Sequence, residues 1–334
     1  MARPPLQKAT SRPAHHGPDG RFRNPSGSPA RNAGLGDMLP FLWRMTRKRG
    51  HLTVPPAGHV LSPAEVRAGM ARLGNHDRLT WLGHVAFLMR INGVTLLTDP
   101  YLSANAGPGR FGPRRYVPPA LGVTDLPPLD LLLVSHNHYD HLDAATVAAL
   151  PGKDRLRVVV PLGLGGFFRQ RGYAHIDELD WYDSIDHAGV TVTATPAVHF
   201  SRRGLRDTNR TLWAGFVVTS KADGRQLYFS GDTAHGAVFR EMGQRLGPID
   251  LALVGIGAYE PRIIMQASHA TPEEAVAIAR DIGAKRLIGM HWGTVVLADE
   301  PQFEAPERLA RAAAAAGYAP HEAGIMKIGE TLAF

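Results

Sequence analysis

The chain contains no cysteine. That excludes disulfides, a thiolate nucleophile and every Cys-ligated metal, and it is compatible with a cytoplasmic setting. No apolar run approaches the roughly 18 residues needed to span a bilayer. The first thirty residues are mostly Pro, Gly, Arg and polar, without the basic-then-apolar order of a secretory signal, so a cytoplasmic protein is expected. Net positive charge is also missing from most of the chain. Residues 51–334 carry 27 Lys/Arg against 28 Asp/Glu, whereas residues 1–50 carry ten Lys/Arg against two Asp. A near-neutral body with one basic arm is not the footprint of a domain that tracks nucleic acid, which is therefore not the expected partner.

What is present suits a soluble α/β protein. With 334 residues, 44% hydrophobic and 20% charged, the chain can bury a substantial core. Residues 1–50 are expected to form a basic, largely disordered arm, and residues 51–334 the folded domain. Within the arm, "DMLPFLWRMTRKRG" (37–50) has the composition of a basic amphipathic helix. Such a segment suits peripheral contact with an inner membrane surface, or docking on its own domain. Further along, "VAFLMRINGVTLLTDP" reads as two strands joined by an Asn92-Gly93 turn. "LDLLLVSH" reads as a buried strand, with Asp143 capping a helix through Leu150. Thr271, Pro272 and Glu274 mark a helix start with a capping box.

Sixteen histidines are the place to look for metal chemistry, and "SHNHYDHLD" (135–143) concentrates three of them with two aspartates just after the buried strand. His136 and His138, at i and i+2, face one side of an extended backbone and can share one ion. The bend that follows would aim Asp140 and His141 at a second position. Imidazole nitrogen and carboxylate oxygen suit Zn²⁺, which takes about four ligands at about 2.0–2.2 Å. One loop cannot close two such shells, so further ligands are expected at other strand ends. His199 in "TPAVHFSRR", Asp232 in "YFSGDT" and His291 in "LIGMHWGT" are placed to supply them. The count closes with His136, His138 and His199 on one metal, Asp140, His141 and His291 on the other, and Asp232 bridging both.

"HNHYDH" has the H-x-H-x-D-H signature of the metallo-β-lactamase superfamily. A longer set of segments sharpens the likeness. "WLGHVAFL", "LLTDP", "VPLGL", "LDWYD", "NRTLWAGF", "SGDTAH", "GPIDLALVGIGAYEPR", "HATPEEAVAI" and "IGMHWGT" make residues 78–300 resemble N-acyl phosphatidylethanolamine-hydrolysing phospholipase D and its bacterial homologues. The resemblance implies an αββα sandwich, two mixed β-sheets flanked by helices, with metals at one edge. It implies hydrolysis of a phosphodiester in a phospholipid substrate. The family's ligands match His136, His138, Asp140, His141, His199, Asp232 and His291. His269 matches a family histidine facing the substrate phosphate, where a donor imidazole would steady developing charge. Tyr139 either lines the substrate site or packs. His84 and Asp99 fall in family-like stretches, with an orienting rather than a binding role.

His138 stands where oxygen-reducing di-iron relatives usually carry Glu, which favours zinc and hydrolysis over redox chemistry, although Mn²⁺ or Fe²⁺ also suit these ligands. The expected chemistry is attack on phosphorus by a hydroxide bridging two Zn²⁺ ions, with Asp140, Asp232 and His269 as catalytic residues. Alternatives are another hydrolase on the same site (a lactonase, a cyclic-nucleotide phosphodiesterase or a nuclease) or a metal-loaded binding or membrane-scaffold protein without turnover.

Overall fold

Strand pairing in this protein divides the chain almost in sequence order. The computed structural model describes residues 13–48, 54–109 and 111–334. The first twelve residues of the arm and positions 49–50 of its amphipathic segment lie outside the described residues. One sheet takes β1 (Arg78–Gly83), β2 (Ala86–Ile91), β3 (Val94–Thr98), β4 (Leu131–Leu133), β5 (Arg157–Pro161) and β6 (His175–Leu179), with β14 (Thr331–Ala333) beside β1. The other takes β7 (Ser184–His187), β8 (Val190–Thr195), β9 (Gly215–Ser220), β10 (Gln226–Phe229), β11 (Leu251–Gly255), β12 (Arg286–Met290) and β13 (Ala323–Ile325). Both are mixed. Strands β1 to β3 and β7 to β10 pair antiparallel, and β3 to β6 and β10 to β13 pair parallel.

The parallel strands explain the apolar runs. Every residue of β4 is buried, as are all but one in β5, β10 and β11, which is what strands covered on both faces require. Trp81, Leu96, Leu132 and Val158 of the first sheet share one core with Val192, Phe216, Leu227, Leu253 and Leu287 of the second. Helices α1 (Leu35–Lys48), α2 (Pro63–Leu73), α3 (Ala144–Ala149), α4 (Gly165–Arg169), α5 (Val238–Leu246), α6 (Arg262–Met265), α7 (Pro272–Asp281) and α8 (Ala305–Ala315) complete the described structure. Packing of α7 on β11 and β12, α8 on β13, α4 on β6 and α2 on β14 gives the helix–sheet–sheet–helix layering.

Local signals account for most boundaries. Asn92 (φ 45°) and Gly93 (φ 82°) make the β2–β3 turn in the left-handed conformation that a tight hairpin needs. Asp143 caps α3 through Ala145 N, and Thr271 with Glu274 closes both halves of a capping box on α7. Strand β9 starts only at Gly215, because Ala214 N bonds to Ser135 O outside the ladder.

The described part of the arm departs from the expectation of a largely disordered segment. Composition misses it because the order comes from partners far along the chain. Phe22 N bonds to Asn209 O, and the imidazoles of His15 and His16 each hold one oxygen of Asp180, at 2.6 and 2.7 Å. Helix α1 buries Phe41 and Met45 and leaves Leu35, Leu39, Leu42 and Trp43 more than half exposed.

Candidate metal centre

Each metal-competent side chain sits just past a strand end, and the two sheets bring these ends to one edge. His84 occupies the β1–β2 turn, Asp99 follows β3, and His136 to His141 follow β4. From the second sheet, His199 follows β8, Asp232 follows β10, and His291 comes directly after β12. Loops past the C-terminal ends of parallel strands are the usual location of sites in open α/β sheets. The backbone is bent hard here. His84 (φ 57°), Asp99 (φ 30°) and His291 (φ 62°) all adopt left-handed conformations, which cost energy in non-glycine residues and cluster at working sites. Gly231 (φ 56°) is needed for a further reason, because a Cβ there would meet the Ser135 side chain at 2.5 Å.

The structure brings all seven expected ligands together in two groups. His136, His138, His199 and Asp232 form one; Asp140, His141 and His291 form the other, joined by His84. Within each group the ligand atoms lie within 4.8 Å of one another. Asp232 stands between them, with Oδ2 3.7 Å from His199 Nε2 and 3.1 Å from His141 Nε2, and Oδ1 3.2 Å from His291 Nε2. His84 reaches Asp140 Oδ2 at 3.0 Å, so it grips a carboxylate of the second group from behind.

Hydrogen bonds at the back of the rings decide which nitrogens face inward. Ser135 Oγ donates to Asp99 Oδ2 at 2.6 Å, so it accepts from His136 Nδ1 at 2.9 Å. His141 Nδ1 donates to Asp99 Oδ2 at 2.6 Å, and His199 Nδ1 donates to Ser268 O at 2.8 Å. In the neutral rings the three Nε2 atoms therefore present bare lone pairs to the centre. His138 Nδ1 faces two of them, His136 at 2.8 Å and His199 at 3.2 Å, and a single proton there can satisfy only one. His141 Nε2, His291 Nε2 and Asp232 Oδ1 are buried without a hydrogen-bond partner. Converging lone pairs beside the buried Asp232 and the partly buried Asp140 carboxylates fit divalent cations, and the all-N/O donor set suits zinc-like metals.

Electrostatics agree. Burial opposes ionisation of Asp232, but His141, His291 and His269 hold its carboxyl well below the usual range. Asp140 behaves likewise, with His141 the leading opponent of burial. Burial lowers His291, yet Asp232 and then Asp140 lift it to about 9, so the carboxylate field calls for positive charge between the rings. His138 and His269 are pulled down to about 4, chiefly by burial.

The groups open into a cavity of about 510 Å³. His138, Asp140, Asp232 and His269 form its polar end, while Met38, Phe200, Ile264, Met265 and Leu297 supply apolar wall. His269 keeps 15% of its side chain exposed, with Nδ1 3.9 Å from Asp232 Oδ2. Tyr139 does not line this cavity. Its hydroxyl donates to Arg203 O at 3.0 Å and its ring lies 3.9 Å under the Arg203 guanidinium, which hold it in the packing. Arg31, which carries no motif in the sequence, and Met38 of the 37–50 segment reach the cavity from the arm. The buried Glu300 carboxylate accepts from Ala258 N and Glu260 N and shapes the loop after β11.

Comparison with known proteins adds three findings. Residues 95–292 match the beta-lactamase superfamily domain. The chain is 41% identical over 227 residues to N-acyl-phosphatidylethanolamine-hydrolyzing phospholipase D 1 of Caenorhabditis elegans, covering 64% of this chain and 63% of the worm protein. More than a third of the worm protein is thus unmatched. A UPF0173 metal-dependent hydrolase of Rubrobacter xylanophilus is 33% identical over 223 residues, covering 65% of this chain and 82% of that protein. Among solved structures, a metallo hydrolase of the archaeon Ignicoccus hospitalis superposes with a TM-score of 0.58 at 20% identity, covering 77% of this chain and 98% of that one.

Proposed function

Given that the chain belongs to the beta-lactamase superfamily and to its metal-dependent hydrolases, we propose that it is a zinc-dependent phosphodiesterase of the phospholipase D type, acting on N-acyl phosphatidylethanolamine-like lipids. The observation that carries the lipid reading is the cavity. A mostly apolar chamber ends on the His/Asp centre, so acyl chains can lie along Phe200, Ile264, Met265 and Leu297 while the phosphate meets the polar end.

Two zinc ions held by His136, His138, His199, Asp140, His141 and His291, with Asp232 shared, would supply Lewis acidity and an activated water. The chain's own residues do the rest. Asp140 and Asp232 remain ionised and accept a hydrogen bond that orients the attacking water toward phosphorus. His269, on the cavity wall, would donate a hydrogen bond from its neutral imidazole to a non-bridging phosphate oxygen and stabilise that oxygen as the phosphoester bond breaks. Products from such a lipid would be a phosphatidic acid and an acylethanolamine. No substrate contact is assigned to Tyr139.

Membrane access follows from helix α1. Leu35, Leu39, Leu42 and Trp43, spaced i, i+4, i+7 and i+8, make an outward apolar stripe, while Met38 on the same helix lines the cavity. Among the described residues no helix is long and apolar enough to cross a membrane. The proposed location is the cytoplasmic face of the inner membrane, with the stripe resting in the lipid interface and Arg47 near headgroups.

The test is hydrolysis of a panel of N-acyl phosphatidylethanolamine, phosphatidylcholine, a generic phosphodiester, a lactone and short RNA, alongside metal analysis. About two zinc per chain with cleavage of the N-acyl lipid supports the proposal. Bound zinc with turnover of another substrate only would keep the site and remove the lipid.

A further inference from the structure

The loop carrying His199 is gripped from three directions. From the opposite ligand loop, the Asn137 side chain accepts from Arg202 N at 2.9 Å, and Arg203 Nη1 bonds back to Asn137 O and Leu142 O at 3.0 and 2.7 Å. From its own continuation, Asn209 Oδ1 accepts from Ser201 N at 3.2 Å, and Asn209 N donates to Ser201 O at 2.8 Å. The third grip comes from the N-terminal arm, 175 residues away in the chain. Asn24 Oδ1 accepts the backbone N–H of His199 itself, at 2.9 Å. Seven residues on, the Arg31 guanidinium lies 3.9 Å over the ring of Phe200, and that ring is 4.5 Å from His138.

The arm is built to hold this position. Residues 15–23 fold back on themselves, with Gly17 N bonded to Arg21 O and Arg23 N to His15 O. The Arg21 guanidinium bonds to Thr208 O and Phe22 N to Asn209 O, both on the loop that returns from His199. His15 stacks on Trp181 at 4.1 Å while both its imidazole and that of His16 hold Asp180. Anchors on both sides of Asn24 thus fix its amide against His199, and Ser268 O fixes the ring at Nδ1.

We propose that Asn24 is a positioning residue for the metal centre, and that the segment around it completes the position formed by His136, His138, His199 and Asp232. A buried backbone N–H needs an acceptor, and the direction of that bond sets the plane of the peptide from which the His199 ring projects. Partners one bond removed from a metal ligand typically change metal affinity by about 10- to 100-fold. This inference rests on reading those four residues as one metal position.

The test uses full-length protein with Asn24→Ala and Asn24→Asp, the latter retaining the acceptor oxygen. Zinc affinity is read by chelator competition, the visible spectrum is taken with Co²⁺ in place of zinc, and thermal melting is followed without metal. Expected is an affinity loss of about 10- to 100-fold at one metal position in Asn24→Ala, an altered Co²⁺ spectrum, a cooperative metal-free melt lowered only by the loss of one hydrogen bond, and recovery in Asn24→Asp. Equal affinity and spectra in wild type and Asn24→Ala would overturn the proposal, as would equal losses in both variants. Absence of uptake by the wild type would instead remove the metal reading on which it stands.

Discussion

Asp99 Oδ2 lies 2.6 Å from His141 Nδ1, and neither side chain has any exposed surface. The same carboxylate also receives Ser135 N and Ser135 Oγ, so one buried anion fixes the tautomer of His141 directly and that of His136 through the serine. Asp99 is therefore tied to a histidine of each group in the centre.

Replacing it should show this. Asp99→Asn keeps the shape and loses the anion, so zinc affinity should fall by about 10- to 100-fold while the fold persists. Chelator competition with far-ultraviolet circular dichroism checks both halves of the expectation. An unchanged affinity would mean that the Asp99–His141 contact is structural only.

Asp232 offers a different outcome because it reaches both groups at once. Asp232→Asn should leave zinc below two per chain and abolish turnover, with both losses read from one preparation by metal analysis and assay. Full zinc with lost activity would place Asp232 in the chemistry rather than in metal retention.

For His269 the expected change is in rate, not in metal. It lines the cavity, with Nδ1 3.9 Å from Asp232 Oδ2. His269→Ala should lower kcat by about 10²- to 10³-fold with little change in zinc content. A change confined to KM would reassign the residue to binding alone.

Helix α1 makes a prediction about surfaces. Leu39 is 63% and Trp43 57% exposed on its outward stripe. Burying such a side chain in lipid contributes about 1.5–3 kcal/mol, so Leu39→Asp with Trp43→Asp should cut binding to anionic vesicles by well over about tenfold. Hydrolysis of a short-chain soluble substrate should be unaffected. Equal vesicle binding in the double variant would remove α1 as the membrane contact.

Stability has a local test at the start of α7. Thr271 accepts from Glu274 N and the Glu274 carboxylate reaches back to Thr271 N, two residues from His269. Thr271→Ala should cost about 1 kcal/mol in chemical denaturation.

The parts of this protein legible in its sequence share a physical cause: a residue's neighbours in the chain decide its setting. Asn92-Gly93 turns a hairpin, Thr271 caps a helix, and the apolar run before Ser135 is a strand covered on both faces. Strand ends pointed to His199, Asp232 and His291 in the same way, and the structure brings them beside the His136–His141 loop. What escaped depends on distant partners. Asn24 and Arg31 belong to a stretch whose composition favours disorder, and the 199–211 loop with Asp180 and Trp181 holds it in place. Tyr139 lies among ligands in the chain, yet Arg203 takes both its hydroxyl and its ring. Composition marked 37–50 as amphipathic, but which residues face outward is set by the burial of Phe41 and Met45.

Strand β14 sits beside β1, with Thr331 Oγ1 2.9 Å from Thr80 Oγ1 across 251 residues of chain. During translation β1, and the turn it leads to at His84, must wait for that neighbour. At about 5–20 residues per second, the wait is on the order of ten to fifty seconds. Through that interval the nascent first sheet has an open edge at β1, the strand that feeds the centre. The turn at His84 therefore gains its outer neighbour only after Thr331–Ala333 have been made.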